Sequence, residues 1–143
     1  MHVLFHAKQL AQLIEKNPDA VVIAHPECDD DVLQYAHVIG STSRLLDEVK
    51  NNPKKKFIVA TETGIFHQML KVRPDAELIQ APMKDGSCGC NNCPYMKLNS
   101  LEKIRNALQT LSPEVTITED LRSRAQVSLD RMMAITSNQT VSW

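Results

Sequence analysis

The chain has 143 residues, 43% hydrophobic and 23% charged, with a net charge of −1. That is enough apolar sequence for a real core, in one domain or one domain plus part of another. No basic face points to nucleic acid, and no apolar run approaches the ~20 residues of a membrane span. The N-terminal MHVLFHAKQLAQL is too short and mixed for a signal peptide. Of four cysteines, three are bunched at Cys88, Cys90 and Cys93, unlike a secreted disulfide framework. A cytoplasmic setting with reduced thiols is therefore expected.

In chain order, Phe5 to Lys16 carries a helical pattern, with Leu10, Leu13 and Ile14 on one face. Asn17-Pro18-Asp19 breaks it. AVVIAH, Ala20 to His25, is a continuous apolar run of the kind a buried parallel strand shows. DDDVLQYAHVI predicts a helix with acidic residues at its N-terminal end, stopped by Gly40. His37 then lies within that helix, and His67 within a later one, both as surface or satisfied residues. STSRLLDEVKNN predicts a helix capped by Ser41 or Thr42.

KFIVAT is a second buried strand, TGIFHQMLKV a helix and AELIQAP a third strand. The cysteine segment follows. Then come a helix from Ser100, a short EVTIT strand, the helix EDLRSRAQVSLDRMMAI and a frayed polar tail at 136–143.

This alternation predicts an α/β fold, a three-layer αβα sandwich with a mainly parallel sheet. The expected division is 1–40, 41–135 and the tail 136–143, with 1–40 completing a preceding or shared domain. Ligands of such sheets sit beyond the carboxyl ends of the strands. HPEC (His25 to Cys28), TETG (Thr61 to Gly64) and the cysteine segment all follow strands, so polar and sulfur chemistry converges on one edge.

Each motif has more than one reading. Cys90-x-x-Cys93 suits zinc if two further ligands join it, with Cys88 as a third and His25 or His67 as a fourth. It also suits a dithiol pair, or an iron–sulfur cluster, whose cysteine runs often close on Cys-Pro as Cys93-Pro94 does. His25-Pro26-Glu27 presents an imidazole and a carboxylate two residues apart, able to bind a polar substrate and exchange protons, or merely forms a polar loop. Ser41-Thr42-Ser43 offers hydroxyls and backbone N–H groups to a carboxylate or phosphate, or simply caps a helix. Cys28 reads as a small buried side chain.

Taken together, NPDAVVIAHPEC, VIGSTSRLL, FIVATETGIFHQM, CNNCPYMKLNSLEKI and RAQVSLDRMMAI resemble the C-terminal part of quinolinate synthase, the iron–sulfur enzyme family of NAD biosynthesis. They occur in the family's order from about Phe5 to Ile135. The resemblance implies three homologous α/β domains in pseudo-threefold arrangement, each giving one cysteine to a central [4Fe–4S] cluster. It implies a transferase that condenses iminosuccinate with dihydroxyacetone phosphate. His25 and Glu27 match the family's substrate-contacting, proton-transferring HPE motif. Thr42, with Ser41 beside it, matches a carboxylate-binding hydroxyl. Cys93, directly before Pro-aromatic-Met, matches the cluster ligand, and Cys88 and Cys90 match accessory or redox thiols.

Aligning Phe5 with the family's C-x-V-H-x-E-F element puts His2 on its histidine and Leu4 where a glutamate stands, with the cysteine falling before Met1. The other cluster cysteines have no counterpart in this chain. The expectation is a fragment, or one partner of a separately encoded N-terminal half, that is inactive alone. The alternative is a small cysteine-based zinc or iron module.

Overall fold

The computed structural model describes residues 2–84 and 91–137, in two units, Met1–Asn99 and Ser100–Trp143. Cys88, Cys90 and the tail from 138 lie outside the described residues.

The first unit is built on two continuous apolar runs and an edge segment with an apolar centre. They form strands β1 (Val21–Ala24), β3 (Lys56–Ala60) and β4 (Glu77–Gln80), joined by a short β2 (Val38–Ile39). All pairings are parallel, in the order β2-β1-β3-β4. Residues Val21 to Ala24 of β1 pair in register with Phe57 to Ala60 of β3. A strand in mid-sheet with helices on both faces needs apolar residues at every position, not every second one. β1 is accordingly buried throughout.

The two-residue period still sorts the side chains. Val22, Ala24, Ile58 and Ala60 face one core with Leu10 of α1 (Ala7–Lys16) and Val32 of α2 (Asp30–Leu33). Val21, Ile23, Phe57 and Val59 face the other, with Leu45 and Val49 of α3 (Thr42–Asn51) and Ile65 and Met69 of α4 (Ile65–Val72). The result is the expected three-layer αβα sandwich. Each fully buried Phe, Leu or Ile contributes roughly 1.5–3 kcal/mol from removal of its apolar surface from water.

The expected helix over DDDVLQYAHVI is shortened to α2, and the chain then turns into β2. His37 explains the switch. Its backbone N–H donates to Val22 O at 2.8 Å, and its Nδ1 accepts from Val22 N–H at 2.9 Å. One residue thus satisfies both backbone groups of Val22 on the side where β2 is too short to reach. His37 is a satisfied residue, as expected, but at a sheet edge and not in a helix. Gly40 follows β2, its N–H donating to Ala24 O at 3.1 Å.

In the second unit, α5 (Leu101–Thr110) is capped by Ser100, whose Oγ accepts from Lys103 N–H at 3.2 Å. It ends at Leu111 in the left-handed region, φ 51°. α6 (Glu119–Thr136) opens on a bidentate Glu119–Arg122 pair. The EVTIT strand expected at 114–118 is not formed: among the described residues no strand pairs with it, and a lone strand leaves its ladder groups unsatisfied. Among the described residues, no helix is long and apolar enough to cross a membrane.

Candidate functional site

β1 connects to β2 on one side, and the chain then crosses to β3 on the other side of β1. The sheet's direction of growth therefore reverses between β1 and β3, and in sheets of this kind ligands bind beyond the carboxyl ends at such a reversal. His25 directly follows β1, and its N–H donates to Ala60 O at 3.2 Å, continuing the β1–β3 ladder. Pro26 turns the chain, and Cys28 N–H closes the turn on His25 O at 3.0 Å. The imidazole of His25 and the carboxylate of Glu27 thus emerge on the same edge. Glu27 N–H lies 3.3 Å from His25 Nδ1.

His2 joins them from the far end of the sequence. Its ring stacks on His25, with centroids 4.1 Å apart and planes 9° from parallel. His2 Nδ1 is 3.0 Å from Glu27 Oε2, and Nε2 is 3.2 Å from Thr61 Oγ1. Its position is set by a seam between the N-terminal 3₁₀ turn (His2–Leu4) and the segment after β4. Phe5, fully buried, bridges to Met83; Lys84 N–H donates to Leu4 O at 2.7 Å. Lys84 Nζ donates to Val3 O at 2.9 Å and to Asp29 Oδ2 at 2.8 Å, which holds the ammonium above its ordinary pKa.

The electrostatics favour neutral His25 beside ionised Glu27. Burial and then His2 lower the His25 pKa, partly opposed by Glu27. The hydrogen bond from His2, then the charge of His25, lower that of Glu27. A base whose folded-state pKa is depressed is protonated first in the unfolded chain. Stability is therefore full above the unfolded value, about 6.5, and falls as pH drops from there to the folded value. Glu27 adds a second loss below about 4.3, its unfolded value. Thermal midpoints measured from pH 8 to 5 should fall on acidification, with a shallower fall in His25→Asn. A midpoint that rises on acidification contradicts this assignment.

Ser41 and Thr42 follow β2, the strand beside β1, so they stand on the same edge. Both are exposed. Ser41 occupies the N-cap position of α3, but its hydroxyl makes no capping bond, contrary to the expected cap. TETG behaves differently. Thr61 is buried against His2, and Glu62 Oε2 accepts from Gly64 N–H at 2.6 Å, so the chain's own carboxylate occupies the turn before α4.

Cys93 is half-buried in a segment tied to that turn. Thr63 N–H donates to Asn91 O at 3.0 Å, and Thr63 Oγ1 donates to Asn92 Oδ1 at 3.2 Å. Buried Asn91 donates through Nδ2 to Ala81 O at 2.8 Å. Cys28 is a core residue whose Sγ–H donates to Ala60 O at 3.4 Å, and burial pushes its pKa up to about 11. It is the small buried side chain that the sequence suggests, packed in the core of the sheet. The described residues therefore offer one thiol suited to a metal cluster, which fits one corner of such a group and not a whole ligand set.

The structure brings His2, His25, Glu27 and Thr61 into direct contact. Thr61 belongs to the TETG segment expected on this edge, but its pairing with His2 joins residues 59 positions apart and has no local signal in the sequence. The structure makes no hydrogen bond from Ser41 or Thr42 to this cluster.

The family model described as Quinolinate synthetase A protein matches residues 1–134. A quinolinate synthase of Nostoc punctiforme is 47% identical over 133 residues, covering 93% of this chain and 41% of that protein. One from Synechococcus sp. is 43% identical over 137 residues, covering 96% and 43%. One from Chloroherpeton thalassium is 42% identical over 135 residues, covering 94% and 42%. The chain spans about two fifths of the length of these curated relatives.

Proposed function

Because this chain belongs to the quinolinate synthetase A family, we propose that it is the HPE- and GSTS-bearing portion of a quinolinate synthase. In this reading it acts only when joined to the remainder that its relatives carry. The reaction is condensation of iminosuccinate with dihydroxyacetone phosphate, with loss of phosphate and water and ring closure to quinolinate. The observation that carries the reading is the convergence of His2, His25 and Glu27 beyond the carboxyl ends of β1 and β3.

Neutral His25 is suited to take a proton from the substrate, and Glu27, exposed and ionised, to receive or return one. His2, steadied by Thr61, orients the Glu27 carboxylate. The uncapped hydroxyls of Ser41 and Thr42, at the N-terminus of α3, suit a substrate carboxylate. Cys93 would hold one iron of a [4Fe–4S] cluster whose other ligands come from the further domains of a pseudo-threefold enzyme. When bound, the cluster supplies a Lewis acid for substrate oxygens. A cytoplasmic setting keeps these thiols reduced. The match along nearly the whole chain favours this reading over a self-contained cysteine module.

The test is a chimera in which this chain replaces the matching segment of the Nostoc punctiforme relative. Anaerobically reconstituted, the chimera should show cluster absorption that Cys93→Ser removes. Full cluster content in the Cys93→Ser chimera would sink the assignment of Cys93.

A further inference from the structure

His2, His25 and Glu27 offer three ligand atoms that all lie within 4.8 Å of one another, from two segments far apart in sequence. We propose that these residues form a zinc-binding site of the open type, with three protein ligands and one position left for water or a small carboxylate. The site uses no cysteine, so it stands apart from the assignment of Cys93 to a cluster.

Zinc bound at 2.0–2.2 Å in tetrahedral geometry puts neighbouring ligand atoms roughly 3.3–3.5 Å apart. The His2 Nδ1 to Glu27 Oε2 distance of 3.0 Å and the His25 Nδ1 to Glu27 Oε2 distance of 3.9 Å bracket that spacing. Once the proton on Nδ1 gives way to the ion, Thr61 Oγ1, 3.2 Å from His2 Nε2, can accept the Nε2 proton and so keep the Nδ1 lone pair turned toward Glu27. This is the outer partner that a metal-binding imidazole requires. The ion takes the place of the proton now shared between His2 Nδ1 and Glu27 Oε2.

The Glu27 side chain is 74% exposed, so an ion can enter and the carboxylate can adjust. The two rings now lie 9° from parallel, and parallel in-plane lone pairs do not meet. Capture therefore turns the His25 ring out of the stack and gives up its 3.3 Å contact with Glu27 N–H, the longest hydrogen bond in the cluster.

The test uses the untagged full chain with Cys88, Cys90 and Cys93 replaced by serine, which removes competing thiols. Zinc is titrated against a chromophoric chelator. One zinc per chain is expected, weakened at least about tenfold by Glu27→Gln and by His25→Ala. Cobalt in place of zinc should give d–d absorption without a thiolate charge-transfer band. No zinc uptake in the serine background, or equal affinity in both variants, overturns the proposal. Circular dichroism confirms folding, and the exposed position of Glu27 keeps Glu27→Gln informative should His25→Ala unfold.

Discussion

In the chimera, Glu27→Gln is expected to lower kcat by roughly 10²–10⁴-fold, the usual contribution of a positioned acid or base. The substitution keeps the shape of the side chain and its ability to hydrogen-bond His2. It removes the charge and the proton affinity. Because the Glu27 side chain is 74% exposed, folding should be unaffected, and a change within about 0.5 kcal/mol in chemical denaturation would verify that. The split between constants identifies the role. A loss confined to KM means Glu27 only binds substrate, whereas a loss in kcat with an altered acidic limb of the pH profile means it moves a proton. A chimera carrying Glu27→Gln that retains more than about a tenth of its kcat contradicts the proposed role.

The second large effect is on stability. Phe57→Ala is expected to cost about 3–5 kcal/mol, the range for deleting a buried aromatic ring. Phe57 is fully buried on β3, between β1 and β4, and faces the core formed with α3 and α4. The Arg73 guanidinium lies 6.0 Å above its ring. Arg73 itself donates to Val49 O and Asn52 O, so it is anchored to α3 and the turn after it and cannot follow a collapsing cavity. Domains of this size hold only about 5–15 kcal/mol in total, so the variant should sit near its unfolding midpoint under mild conditions. Urea denaturation measures it, with Leu108→Ala as the control: Leu108 is 73% exposed and its truncation should change little. A Phe57→Ala loss below about 1.5 kcal/mol would show that the core is looser than described.

Much of this fold can be read from the sequence because its buried strands cannot disguise themselves. AVVIAH and KFIVAT are apolar at every position since helices cover both faces of β1 and β3, and the helices α3 and α4 fall where their patterns predict. β2 escapes the reading because it is two residues long and follows a run with a helical pattern. Its existence depends on pairing Ile23 with Val38 and on His37 meeting Val22, contacts that no local window contains. EVTIT fails in the opposite direction: its alternation suits a strand, but it pairs with no strand among the described residues.

The same logic divides the site. HPE follows an obvious strand, so its place on the carboxyl edge is legible. That GSTS shares this edge, following a strand and not a helix, depends on the unseen β2. His2 is marked in the sequence only through the family resemblance. Its contact with Glu27 requires the seam through Phe5, Met83 and Lys84, which joins residues about eighty positions apart.

The central claim is that this chain supplies one edge of an active site and requires the rest of the enzyme. Quinolinate formation from iminosuccinate and dihydroxyacetone phosphate, measured anaerobically after cluster reconstitution, tests it most directly. The chimera should turn over and the isolated chain should not. Turnover by the isolated 143-residue chain would contradict the account.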